Sequence, residues 1–223
     1  CPTLQIDGDR LECPRGRLQG ALGTLGGQDT RFSAHTGTDG RLHLLLDAFS
    51  LAGGRAKTHI VLDGSRWKMD ATLADADIAH LAVIARPWFK LPDGFTSAGQ
   101  AAGKIPAAGR GDRIQSAEAD VAIARLDFAD ASGALAGEGL AGIFRAHLEA
   151  GRNGFAVTDG RLELAAGQAY SEPVFLDFAA QRADIDFSGL LDTDAARFDA
   201  DAFSLDHVGV LQAAGTATLD FAG

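Results

Sequence analysis

The segment Gly137-Glu138-Gly139-Leu140-Ala141-Gly142 has the spacing of a dinucleotide fingerprint. That chemistry needs a buried strand before the glycines and a helix after them, inside a parallel βαβ unit, so that the helix N-terminus meets the pyrophosphate. Here the residues upstream, Asp127 to Gly133, are acidic and turn-like, and Glu138 would repel a diphosphate. No alternation of helix and strand follows. In a chain with 28 glycines the match reads as chance, and no cofactor is expected.

The other reactive side chains are equally scattered. The six histidines stand at 35, 43, 59, 80, 147 and 207, without the helical spacing of a metalloprotease motif. His43 and His59 would meet only if their strands are neighbours, so no metal is expected. No serine lies in GxSxG or SxxK, which leaves nucleophilic catalysis unsupported. Asp184 and Asp186 fall on the wet side of an alternating strand, as solubility patterning does. Arg110-Gly111-Asp112 spells an adhesion tripeptide in a Gly/Arg-rich loop and reads as coincidence. The chain is not expected to be an enzyme.

Cys1 and Cys13 are the only cysteines. Gly8-Asp9 between two short alternating runs reads as a hairpin turn, and folding there brings the two cysteines together on adjacent strands. A disulfide at that place points to an oxidising compartment such as the periplasm. The alternative is a pair of reduced thiols in a cytosolic protein.

These residues ride on a repeated unit. Thr38-Asp39-Gly40-Arg41-Leu42-His43-Leu44 has its opening repeated at Thr158-Asp159-Gly160-Arg161-Leu162-Glu163-Leu164. Its continuation Asp47-Ala48-Phe49-Ser50-Leu51 is echoed at Asp201-Ala202-Phe203-Ser204-Leu205. Each copy is a turn feeding a strand with apolar residues at every second position. Arg66 to Leu73 alternates most cleanly, with Trp67, Met69, Ala71 and Leu73 against Arg66, Lys68, Asp70 and Thr72. Leu126 and Phe128 fall out of phase with Val121 and Ile123, which predicts a bulge. Residues 78–86 break the pattern with helical spacing, Asp77 as cap and Pro87 as limit. Leu91 to Arg113, rich in Gly, Ala and Pro, is either a linker or a set of weak strands. Ala131 to Gly142 reads as a turn region.

The fold expected is mostly β: a long, strongly twisted antiparallel sheet curled into an open groove, with one short helix. All 223 residues would form one segment of a larger protein, with 1–96 and 97–223 as sub-halves. Hydrophobic content of 46% suffices for a core. The net charge of −10 argues against nucleic acid as a partner. No apolar run approaches the roughly 20 residues of a membrane span. The chain opens on Cys without a signal peptide, so it reads as a mature form or an excised piece.

The remaining feature is one apolar side. Leu42, Leu44, Leu46, Phe49, Ile60, Leu62, Trp67, Met69, Leu73, Val121, Ile123, Leu162, Leu164, Ile185, Phe187, Leu219 and Phe221 would line it. One short helix cannot cover so wide a sheet, and thirteen Phe against one Tyr leave few aromatics with a polar end. At about 0.8 kcal/mol per buried CH₂, an acyl chain of ~16 carbons would gain on the order of 12 kcal/mol gross. The alternative is a closed β-sandwich or solenoid that uses its surface to bind another protein.

The chain resembles the AsmA-like superfamily, which includes TamB and YdbH. The resemblance rests on the Asp-Gly-Arg-Leu units at 39–42 and 159–162, and on Ile78 to Trp88 followed by Lys90-Leu91-Pro92-Asp93-Gly94-Phe95-Thr96-Ser97-Ala98-Gly99. It extends to Phe128-Ala129-Asp130-Ala131-Ser132-Gly133 with Gly137-Glu138-Gly139-Leu140, and the Cys1…Cys13 opening is most similar to the YdbH branch. It implies a periplasmic groove that conducts phospholipid between inner and outer membrane. It also implies an inner-membrane-anchored parent and membrane-protein partners at either end.

Overall fold

The computed structural model describes residues 1, 3–8, 10–21, 27–85, 94–195 and 197–220. All of its strands belong to one antiparallel sheet of 14 strands. The first six are β1 (Gln5–Asp7), β2 (Arg10–Ala21), β3 (Gly27–Thr36), β4 (Leu42–Leu51), β5 (Gly54–Asp63) and β6 (Arg66–Asp77). Helix α1 (Ile78–Ala85) follows. Then come β7 (Thr96–Arg110), β8 (Arg113–Ala129), β9 (Leu135–Ala150), β10 (Gly154–Ser171) and β11 (Val174–Asp177). The chain continues through β12 (Ala183–Asp192), β13 (Arg197–His207) and β14 (Leu211–Asp220). Each strand pairs with its neighbours in chain order, except that β11 folds back on β10 and β12 takes the next place. β1 and β14 stand at opposite ends of that order, so the sheet is open rather than closed into a barrel. A sandwich would need a second sheet, and the strands among the described residues form only this one.

Of the two readings of Leu91 to Arg113, the strand reading holds and the linker does not over residues 96–110: Thr96–Arg110 is one long strand paired with β6 on one side and β8 on the other. Its Gly and Ala residues hide the alternation, because small side chains carry little hydrophobic contrast. The expected turn region Ala131 to Gly142 is not all turn. The turn ends before Leu135, and the fingerprint-like glycines lie inside β9 between antiparallel β8 and β10.

The expected bulge between Ile123 and Leu126 is present, with Arg125 at φ 51°. It is one of a series. Ala48 at φ 55° sits in the break between Leu46 and Phe49, and Asp75 at φ 56° in that between Leu73 and Ala76. All three lie toward one long edge of the sheet, on β4, β6 and β8. A bulge adds a residue to one strand, bends it and increases the local twist. Three of them along one edge turn that edge away from the plane.

The same edge carries the packed clusters. Asp77 Oδ1 accepts a hydrogen bond from the His80 amide at 3.0 Å and caps α1 as expected. Leu81 and Ile84 of the helix then pack, as Phe49 does, on the buried cluster of Ala52, Ala56, Leu73 and Ala76. The predicted last residue, Arg86, lies outside the described residues, as do Pro87 and Trp88. Further along, Phe178 at the end of the β11 fold-back packs with Leu140 and Ala183.

Candidate functional face

In an antiparallel ladder, residues directly opposite each other point to the same side. One row can be followed through twelve strands: Cys13, Ala34, Leu44, Ile60, Met69, Ala107, Ala117, Leu148, Val157, Gly189, Ala200 and Ala217. No member of it is polar. A second row on the same side runs Phe49, Ala56, Leu73, Gly103, Val121, Phe144, Leu162, Ile185, Leu205 and Ala213. The register therefore puts the predicted residues Leu42, Leu44, Leu46, Phe49, Ile60, Leu62, Trp67, Met69 and Leu73 on one face. Val121, Ile123, Leu162, Leu164, Ile185, Phe187 and Leu219 share it. Phe221 lies outside the described residues.

This face is not sealed. Leu73 is buried under α1, but Leu44, Ile60, Trp67, Met69, Val121, Leu162 and Ile185 are only half-buried, and Leu219 is 54% exposed. Core side chains between two layers would be nearly inaccessible. Toward the β14 end the face forms a concavity of about 350 Å³ lined by Ile185, Phe187, Phe198, Ala200, Phe203, Ala217 and Leu219. Phe187 and Phe198 meet edge to face there, 5.7 Å between centroids.

Five aromatic rings on this face share one device, which the sequence reading did not anticipate. Phe32 stands opposite Gly16, Trp67 opposite Gly109, Phe128 opposite Gly137, Phe187 opposite Gly160 and Phe203 opposite Gly215. At the first four pairs, a Cβ on the glycine would run into the ring. The glycine lets the ring lie across the neighbouring strand rather than stand up from the sheet. The signal exists in the sequence as paired Gly and aromatic positions, but only the register makes it readable.

The opposite face is polar. Its central row is Lys57, Thr72, Lys104, Asp120, Arg145, Arg161, Asp186 and Ser204. Arg145 and Arg161 are directly opposed, which alone would be repulsive. Glu163 lies between them, accepting from Arg145 at 2.8 Å and from Arg161 at 3.0 Å. Arg161 also reaches Asp186 at 3.3 Å and Asp184 at 3.4 Å. Asp186 first, then Glu163, raise the Arg161 pKa further above its ordinary value. A larger concavity, about 850 Å³, lies on this side and includes Asp70, Lys104, Glu118, Asp120, Arg145 and His147. A twisted sheet is hollow along one diagonal on each face. Several charges here pair with one another: Arg145 lies 3.5 Å from Asp120, and His147, when protonated, would pair with Glu118 and Glu149 at 3.5 Å each. The apolar hollow has no such internal partner, so it is the stronger ligand candidate.

Among the described residues, no group of three or more His, Cys, Asp or Glu side chains is arranged to hold a metal ion. Cys1 and Cys13 are joined in a disulfide across the first hairpin, Cα atoms 6.1 Å apart, as the sequence suggested. No helix among the described residues is long and apolar enough to cross a membrane. No protein-family model matches the chain, and neither a curated protein nor a solved structure matches it.

Proposed function

We propose that the chain is a lipid-binding groove segment: its apolar face holds the acyl chains of phospholipid and lets them move along the strand order. The observation that carries this reading is the uninterrupted apolar ladder from β2 to β14, left half-exposed along most of its length. A contiguous apolar surface of this extent is unfavourable in water unless something apolar covers it. Acyl chains suit it because the face offers width and continuity, and its few polar groups, such as Thr36, Thr58 and Ser97, carry no charge to fix a head. Binding would then be insensitive to headgroup, as conduction requires.

The setting follows from the resemblance to the AsmA-like, YdbH-like proteins. The segment would belong to an inner-membrane-anchored parent in the periplasm of a Gram-negative cell. It would pass phospholipid between inner and outer membranes, with membrane-protein partners at either end. The Cys1–Cys13 disulfide is in keeping with an oxidising compartment. The closed sandwich weighed as an alternative finds no second sheet among the described residues to close it.

Native mass spectrometry of gently purified protein tests the reading. Bound phospholipid of mixed headgroup is expected. Spectra that are repeatedly lipid-free, together with no uptake of an apolar dye, would overturn it.

A further inference from the structure

His43 of β4 and His59 of β5 are diagonal neighbours on the polar face, away from the proposed groove. Nδ1 of His43 lies 3.4 Å from Nε2 of His59. Zinc–imidazole bonds of about 2.0–2.1 Å at a tetrahedral angle separate two ligand nitrogens by about 3.3–3.4 Å. We propose that these two imidazoles form a binding site for a divalent metal ion of intermediate softness, with Zn²⁺ as the reference ion.

The surroundings prepare the rings for that role. Asp39 Oδ1 stands 3.8 Å from the other nitrogen of His43, Nε2. A carboxylate there favours the proton on Nε2 and makes Nδ1 the nitrogen with the lone pair, which accepts from His59 Nε2–H until an ion displaces that proton; a carboxylate on the far nitrogen is the outer-shell arrangement that commonly orients a metal-bound histidine. His35 stacks on His43 with centroids 4.9 Å apart and planes 8° from parallel, which restricts the ring plane. Asp70 is directly opposite His59 in the ladder, on the same face, and adds negative charge on that side of the pair. Water completes the shell. The His43 and His59 rings are stacked 17° from parallel, so binding requires one ring to turn about its Cβ–Cγ bond before both lone pairs meet one ion. The His43 side chain is 23% exposed, enough for the ion to enter from solvent. Both cysteines are bonded to each other, so no thiolate competes. Two imidazoles with water suit Zn²⁺, Cu²⁺ or Ni²⁺ rather than Ca²⁺ or Mg²⁺.

The test is calorimetric titration of the EDTA-treated full chain with Zn²⁺, with Cu²⁺ as a spectroscopic probe of the same site. One equivalent at micromolar affinity is expected. His43→Ala and His59→Ala each weaken it at least tenfold, and Asp39→Asn about tenfold, the lower end of outer-shell effects. His80→Ala leaves it unchanged. Circular dichroism checks that the variants are folded. Electron paramagnetic resonance of the Cu²⁺-loaded wild type counts two imidazole nitrogens without relying on any variant. Absence of binding, binding that survives loss of both histidines, or a Cu²⁺ signal without two imidazoles would overturn the proposal. None of these outcomes bears on the apolar face.

Discussion

Gly160 of β10 lies directly opposite Phe187 of β12, and the Phe187 ring occupies the space that a Cβ on Gly160 would need. The ring reaches on toward β9, where Phe144 stacks on it at 6.4 Å. This pair shows how the apolar face stays low: bulky rings lie across the sheet on glycine.

Gly160→Ala should therefore force the Phe187 ring up into the hollow. Overpacking of this kind costs about 1–3 kcal/mol. Urea denaturation of Gly160→Ala, Phe187→Ala and the double variant checks it. The double variant should lose less than the sum, since removing the ring removes the clash. Strict additivity would show that the two do not contend for the same space.

The bulges make the opposite prediction. Ala48 and Arg125 hold left-handed backbone at φ 55° and 51° on exposed positions. Such a conformation costs an L-residue about 1–2 kcal/mol, partly offset when glycine replaces it by the greater chain entropy glycine loses. Ala48→Gly and Arg125→Gly should each raise stability, by about 0.5 kcal/mol, measured as a shift of the urea midpoint. A loss as large as that of Gly160→Ala would mean that the side chains, and not the backbone, hold the bulges.

Much of this was legible in the residues. Trp67, Met69, Ala71 and Leu73 declare one face by alternation, and Asp77 declares a helix start by its place before an apolar run. The face follows because alternation depends only on neighbouring residues. Other features depend on partners that a single strand does not reveal. β7 could be read as a linker or as weak strands because Ala101, Gly103 and Ala107 show little contrast, and the ladders of β6 and β8 decide for a strand. The Gly–aromatic pairs and the His43–His59 approach need the register before they can be seen. The repeat of Asp-Gly-Arg-Leu looked like a repeated turn. Asp39-Gly40 does make one, but Asp159-Gly160 lies within β10 at a register shift.

Removing the cap on α1 tests how one end of the face is covered. Asp77→Ala should cost about 1 kcal/mol, the usual loss of an N-cap, and should increase hydrogen exchange in residues 78–85. The Asp77 carboxyl is held below its ordinary pKa, first by the His80 amide that donates to it and then by the His80 ring. A lowered folded-state pKa stabilises fully above the unfolded value and is lost as pH falls through the folded one. The wild-type advantage over Asp77→Ala should therefore be complete at neutral pH. It should shrink below about pH 4, the ordinary aspartate value. An advantage that grows on acidification would contradict the capping role.

The disulfide should act locally. β1 is a three-residue strand whose residues are all exposed, held to β2 by the first hairpin and the Cys1–Cys13 bond. Dithiothreitol should speed amide exchange in residues 4–12 and leave β7 to β13 unchanged. Exchange rising throughout the sheet would mean that the bond supports the whole fold.

Site-specific photocrosslinking in a Gram-negative cell tests the central claim most directly. A photoreactive phenylalanine analogue is placed singly at Leu44, Met69, Leu162 and Leu219 on the apolar face, and at Lys68, Lys104 and Arg161 on the polar face. The account predicts phospholipid adducts at the first four positions and none at the last three. Adducts spread equally over both faces, or crosslinks from the apolar face only to protein, would contradict it.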